Sequence, residues 1–345
     1  MKRFEHGGDS FGLPGVLDFS ASLNPLGMPQ SARKAYVGCI DACSSYPDPY
    51  CRDLTDAIAE AEKVAPNMVL PCAGATDAFM RICLALRPKR AMICAPSYVG
   101  YEQVLSQCGA AVTYAPLREE EGFAVGPSVA DAVDDTVELL FVAHPNNPSG
   151  RCAQPEELET LLWRARRCGA IVVLDECFID LTDCEDASKD LLEGYPNLII
   201  VKALTKTYAL AGLRVGYALC SDVPTLARLE EMGQPWAVSV PAQAVGVACL
   251  RDTSDYMDRS LTHIKVERER LEHALIEAGM NVIPSDANFL LWRAQTDLTS
   301  RLLEQGILVR SCANFVGLDE RWHRSAVRRA QDNDVFIEAL RKVAP

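Results

Sequence analysis

The stretch Leu204-Thr205-Lys206-Thr207-Tyr208-Ala209-Leu210-Ala211-Gly212-Leu213-Arg214-Val215-Gly216-Tyr217 sets one lysine in a mostly apolar loop, with an arginine eight residues on. An ammonium in apolar surroundings is partly desolvated, which lowers its pKa toward values where the free amine attacks a carbonyl. From spacing alone, such a lysine would more often lay its stem on apolar neighbours and keep its head in water. Its companions decide for the reactive reading. Arg214 supplies a fixed cation, and a guanidinium grips phosphate in a planar fork. Asp175 ends the run Ala170-Ile171-Val172-Val173-Leu174, which reads as a buried parallel strand. Its carboxylate is expected at the strand's carboxyl end, where open α/β sheets bind ligands.

With Asp175, Lys206 and Arg214 in that order, and His144-Pro145-Asn146-Asn147-Pro148-Ser149-Gly150 upstream, the chain resembles the fold-type-I pyridoxal-phosphate aminotransferase superfamily over nearly its whole length. That resemblance implies an α/β fold, with a large domain built on a mainly parallel central sheet and a small α+β domain. It also implies pyridoxal 5'-phosphate as cofactor, joined to Lys206, with Asp175 holding the pyridine nitrogen protonated so that the ring acts as an electron sink. The domain boundaries expected are an N-terminal arm and part of the small domain over 1–45, a large cofactor-binding domain over 46–232, and an interdomain helix with the small domain over 233–345.

A chain of 345 residues is long enough for one large domain and a smaller lobe. Its formal net charge of −13 argues against a nucleic-acid partner, so an anionic substrate must find a locally basic pocket. The 14 cysteines are scattered with no Cys-x-x-Cys pair, which reads as small-hydrophobe use in a reducing cytoplasm rather than as a metal site. No apolar run approaches the roughly 18 residues of a membrane span, and the N-terminus lacks an apolar signal core. A cytoplasmic location without membrane contact is expected. The absence of any Gly-x-Gly argues against a nicotinamide dehydrogenase, and no length is left for a helix-turn-helix regulator domain.

Along the chain, Tyr46-Pro47-Asp48-Pro49 opens a turn into an amphipathic helix near 51–64, and the resemblance places Tyr46 on the cofactor phosphate of a neighbouring subunit, hence a homodimer with shared sites. Ala73-Gly74-Ala75-Thr76 feeds a helix N-terminus whose free N–H groups bind phosphate, with Ala75 and Thr76 as candidates. Ala91 to Ala95 reads as a strand followed by Tyr98, an aromatic placed to stack on a flat ring, with Tyr101 as an alternative. Asn147 lies in the His144 to Gly150 turn that follows a strand over 137–143 and matches the superfamily asparagine that hydrogen-bonds the ring oxygen. Phe178 stands where many transaminases carry tyrosine, which leaves Asn147 alone in that duty. Ala203 stands where a phosphate-binding serine is usual, a loss typically of about 1.5–3 kcal/mol that Thr205, Arg214 and the helix N-terminus could cover. The helix starting at Pro155 buries Leu158, Leu161, Leu162 and Ala165, and a long helix is expected over 254–279.

The arm Asp18-Phe19-Ser20-Ala21-Ser22-Leu23-Asn24-Pro25-Leu26-Gly27 and the segment running from Arg310 to Arg328 resemble the threonine-phosphate decarboxylases, and more loosely the histidinol-phosphate aminotransferases. By that resemblance Arg310 and the His6-Gly7 turn bind a substrate phosphate, Arg324 binds the carboxylate region, and Asn147 touches both cofactor and substrate. Both arginines are expected at strand ends. The reaction implied is loss of carbon dioxide from O-phosphothreonine to give aminopropanol phosphate for the cobalamin linker. Which bond stands perpendicular to the ring selects decarboxylation over transamination. Ser22 replaces the asparagine of the decarboxylase pattern, which points toward O-phosphoserine as a further substrate. The alternative is histidinol-phosphate or another aminotransferase, which requires a 2-oxo acid.

Overall fold

The computed structural model describes residues 4–184 and 188–344. In chain order the strands are β1 (Leu17–Asp18), β2 (Val69–Cys72), β3 (Arg90–Ala95), β4 (Ala111–Pro116), β5 (Leu139–Ala143), β6 (Ile171–Asp175), β7 (Leu198–Ala203), β8 (Gly216–Leu219), β9 (Asn281–Ile283), β10 (Phe289–Arg293), β11 (Ile307–Leu308), β12 (Arg310–Ser311) and β13 (Trp322–Ala326). The main sheet has the order β2-β8-β7-β6-β5-β3-β4. Pairing is parallel from β7 through β4, while β8 runs antiparallel to β7 and to β2.

The central strands β5, β6 and β7 read as nearly unbroken apolar runs because both faces of the sheet are covered there. Leu140, Val142, Val172, Leu174, Leu198 and Ile200 enter one core, and the alternating Leu139, Phe141, Val173, Ile199 and Val201 enter the other. Each such side chain contributes about 1.5–3 kcal/mol by leaving water. The helix Pro155–Cys168 crosses between β5 and β6. Pro155 stands in its first turn, Gln154 and Glu157 close a capping box, and Gly169 ends it at φ 76°. Its buried face is Leu158, Leu161, Leu162 and Ala165, as the spacing predicts.

The second sheet is antiparallel, in the order β12-β13-β10-β9. The helices Tyr256–Glu277, Thr299–Glu304 and Ala330–Val343 share a core with it through Leu271, Leu275, Leu290, Trp292, Leu302 and Phe336. The arm contributes β1, which pairs in parallel with β11. No described helix is long and apolar enough to cross a membrane.

Three expectations change. Lys206 lies in a one-turn helix, Leu204–Thr207, rather than in a loop. Arg324 stands in the middle of β13 rather than at its end, directly across from Arg310. Most cysteines are buried free thiols, but Cys152 and Cys184 form a disulfide. The reason is topological: β5 and β6 are parallel neighbours, so the segments that leave their carboxyl ends run side by side although 32 positions separate the two sulfurs.

Asn24 fastens the arm from within. Its N–H donates to the Lys206 carbonyl at 3.0 Å, and its Nδ2 donates to the Thr207 carbonyl at 2.9 Å and to Ser260 Oγ at 2.8 Å. Asn24→Ala leaves buried acceptors without their donor and is expected to cost about 1–3 kcal/mol. The measurement is the urea midpoint, which should fall with an unchanged slope. An unshifted midpoint would show that the arm is not held there.

Candidate active site

The carboxyl ends of β3, β5, β6 and β7 open on one edge of the main sheet and deliver Tyr98, Asn147, Asp175 and Lys206 into a single cavity. At one end of it the helix Ala75–Leu86 begins after Gly74, whose φ is 85°. The first-turn N–H groups of Ala75 and Thr76 have no partner within the helix ladder and form the positive end of its dipole. Arg214 adopts a left-handed φ of 57° and lays its guanidinium on Gly74, where a Cβ would sit 2.8 Å from Nη2. A strained backbone at a non-glycine residue persists only where the surroundings enforce it. Thr205 completes this end. Ala203 packs instead with Cys177, Phe178, Ala287 and Phe289, so its methyl fills an apolar contact.

Lys206 is held at the cavity's centre, 5.8 Å from the Phe178 ring centroid. Burial is the main cause that lowers its pKa to about 8, and the Arg324 and Arg214 guanidiniums add to it. Opposite, Asp175 Oδ1 accepts the Cys177 N–H at 3.0 Å and Oδ2 accepts the Tyr101 hydroxyl. Burial pushes this carboxyl up, against the Cys177 thiol, the Tyr101 hydroxyl, the Cys177 N–H and the charge of Lys206. Tyr98 caps the helix Val99–Gln107 and lines the cavity, whereas Tyr101 is turned fully into the core. Tyr98 and Tyr101 are thus resolved: only Tyr98 presents a ring to the cavity. Sequence reasoning missed the hydroxyl contact to Asp175. The signal available for it was the position of Tyr101 in the first turn of a helix leaving a strand next but one to β6.

At the other end stand the two arginines of the antiparallel sheet. Arg310 Nη2 donates to the Glu5 carbonyl at 2.7 Å and to Asn314 Oδ1 at 2.6 Å. Arg324 Nη2 donates to the Ser20 carbonyl at 2.8 Å, and Nη1 donates to Asn147 Oδ1. Burial lowers the Arg324 pKa to about 10, still high enough to keep the guanidinium charged. His6, Gly7 and Ser22 come from the arm to close this end. Gly7 can be nothing larger, because a Cβ there would lie 2.4 Å from the Ser20 carbonyl oxygen. Ser22 Oγ and Arg324 Nε are buried with no protein partner. Each such group costs about 1–3 kcal/mol unless a polar ligand meets it. Four cationic side chains and one carboxylate line the cavity of a protein whose net charge is −13, which is the locally basic pocket an anion requires.

Tyr46 stands outside the cavity, 79% exposed and stacked on Trp236 at 4.6 Å. His144 serves the fold: its Nδ1 accepts the Ala153 N–H at 3.1 Å.

A desolvated lysine, a buried carboxylate and an anion cup at the carboxyl edge of a mainly parallel sheet define an enzyme class that uses pyridoxal 5'-phosphate. The chain belongs to the family aminotransferase class I and II, which matches residues 14–340. It is 35% identical over 332 residues to the threonine-phosphate decarboxylase of Salmonella typhimurium, covering 95% of this chain and 91% of that one. Among solved structures it is similar to the histidinol-phosphate aminotransferase from Clostridium acetobutylicum, with a TM-score of 0.89 and 30% identity over 95% of this chain and 99% of that one. It is also similar to L-threonine-O-3-phosphate decarboxylase from Porphyromonas gingivalis, with a TM-score of 0.82 and 27% identity over 94% of this chain and 98% of that one.

The cavity suits this cofactor: the Lys206 amine would meet its aldehyde, the helix N-terminus beside Arg214 would hold its phosphate, and the Asp175 carboxylate would face its pyridine nitrogen. Because the amine of Lys206 loses its proton near pH 8, cofactor-free protein should load pyridoxal phosphate at a rate that climbs to about pH 8 and then levels. Borohydride trapping with mass spectrometry of the peptide carrying residue 206 follows the reaction. A rate still climbing at pH 10 means an ordinary lysine, and an unmodified residue 206 means the wrong one.

Proposed function

We propose that the protein decarboxylates O-phospho-L-threonine to (R)-1-aminopropan-2-yl phosphate and carbon dioxide, the step that makes the nucleotide-loop linker of cobalamin. The observation that carries the reading is the pair Arg310 and Arg324, which face each other across two strands above Lys206 and offer two separate grips to a substrate with two anionic groups. Arg310 with His6 and Gly7 binds the phosphate. Arg324 fixes the carboxylate, and Asn147, which accepts from Arg324, ties that grip to the cofactor ring.

In the same reading Lys206 and Asp175 are the catalytic residues. Arg214, Thr205 and the backbone of Ala75 and Thr76 hold the cofactor phosphate, Tyr98 lies on the ring face, and Phe178 packs beside the lysine without a hydrogen bond to offer. Bound pyridoxal phosphate supplies the electron sink for the bond that breaks. Arg324 orients the Cα–carboxylate bond, which breaks to release carbon dioxide. A proton then returns to Cα from Lys206 or a water, so that one proton is taken up for each carboxylate lost.

The reading includes a homodimer, with Tyr46 reaching the neighbouring site. It is supported by the exposure of Tyr46, Tyr50 and Trp236 together with Val37 and Ile40. It includes the division at 45 and 232, supported by the separate main and antiparallel sheets and by the pairing of β1 with β11. Ser22, whose hydroxyl is short and unpartnered, supports O-phospho-L-serine as a second substrate yielding ethanolamine phosphate.

Histidinol-phosphate aminotransferase is the second reading, favoured by the similarity to solved structures of that name. One assay separates the two: carbon dioxide release without any oxo acid is expected, and amino transfer to 2-oxoglutarate without carbon dioxide would replace the first reading by the second. For substrate choice, kcat/KM for phosphoserine is expected within about a hundredfold of that for phosphothreonine, since a single methyl discriminates by roughly ten- to two-hundredfold. A preference for phosphothreonine beyond a hundredfold ends the serine reading.

A further inference from the structure

We propose that the Tyr101 hydroxyl is a positioning group for the reaction: by donating to Asp175 it keeps the proton shared between that carboxylate and the pyridine nitrogen of bound pyridoxal phosphate on the nitrogen. This rests on the assignment of Asp175 to the ring nitrogen. The Asp175 carboxylate takes the Cys177 N–H on Oδ1 and the Tyr101 hydroxyl on Oδ2, and the Cys177 thiol also donates to it. The other titratable groups that face it are Tyr98, the Cys177 thiol and Lys206. Tyr98 and Cys177 are neutral where they stand, because burial raises the proton affinity of both. The carboxylate therefore depends on hydrogen bonds more than on cations to remain an anion at full burial.

Tyr101 is built to be a permanent donor. Its ring is fully buried, stacked on Phe141 at 4.9 Å and met edge-on by Phe79 at 5.2 Å and by Tyr98 at 5.4 Å. Burial holds its phenol well above its ordinary range, so the oxygen keeps its proton and spends it on Asp175. The ring would pack equally well without the oxygen. The hydroxyl is the only part that a core role does not explain.

The consequence concerns where one proton rests. A donor to the carboxylate stabilises the state with Asp175 ionised and the ring nitrogen protonated over the state with Asp175 protonated and the nitrogen bare. Only the first draws electrons strongly from Cα. A hydrogen bond to a charged acceptor shifts such a partition by roughly ten- to a hundredfold.

The experiment is Tyr101→Phe, loaded with pyridoxal phosphate labelled with 15N in the ring and read by solid-state 15N NMR. Wild-type protein is expected to show a protonated nitrogen, and in the variant the resonance moves toward the bare position while kcat falls at least tenfold and KM stays within about threefold. Phe141→Leu is the packing control. It disturbs the same ring without touching the hydrogen bond and should lower the melting temperature with no 15N shift. An unmoved resonance in Tyr101→Phe overturns the proposal, as does an equal shift in Phe141→Leu. A bare nitrogen in the wild type overturns instead the assignment of Asp175 on which the proposal rests.

Discussion

A carboxylate and an amine are both kept in a low-dielectric pocket at the ends of adjacent strands, and every other feature of the cavity answers to that. Asp175 is paired across β6 and β7 with Val201, five residues before Lys206. The spacing places acid and base on neighbouring exits from one rigid sheet, so neither relies on a loop to find the other. Burial pushes their proton affinities in opposite senses, the carboxyl up and the amine down. Left alone, both would drift toward neutrality. The donors on Asp175 resist that drift, whereas the guanidiniums near Lys206 reinforce it.

The cationic half of the cavity is assembled from distant parts of the chain. Arg214 is brought in by the reversal from β7 to β8, and the close approach of Gly74 and Gly216 makes that reversal possible: a Cβ on Gly216 would lie 2.7 Å from the Lys202 carbonyl oxygen and 3.1 Å from Gly74 Cα. Arg310 and Arg324 come from the antiparallel sheet, where register alone sets their separation. Since each also holds a backbone carbonyl of the arm, the guanidiniums are oriented before any substrate arrives.

Most of this was legible in the chain. The apolar runs ending in Ala95, Ala143, Asp175 and Val201 identified the parallel strands, and residues placed just beyond them proved to share one cavity. What was hidden had a common cause, dependence on pairing between segments far apart in sequence. β12 is two residues long and has no periodicity to read, so the facing of Arg310 and Arg324 could not be seen. The Cys152–Cys184 link follows from strand adjacency and carries no motif. Tyr98 and Tyr101 differ only in the direction a helix start gives them. Tyr46 stands apart from the other residues, outside the cavity and stacked on Trp236.

The pairing of β1 with β11 has a mechanical meaning. Asp18, Phe19 and Ser20 are held by the antiparallel body, through the Arg328 bond to the Asp18 carbonyl, the Phe19–Phe336 ring stack and the Arg324 bond to the Ser20 carbonyl, whereas Asn24 joins the lysine turn of the main sheet to Ser260 of the long helix. Ser22 lies between these two anchorages, and since the Leu23 carbonyl next to it accepts from Asn288 Nδ2 at 3.2 Å, its hydroxyl keeps a fixed place in the cavity wall.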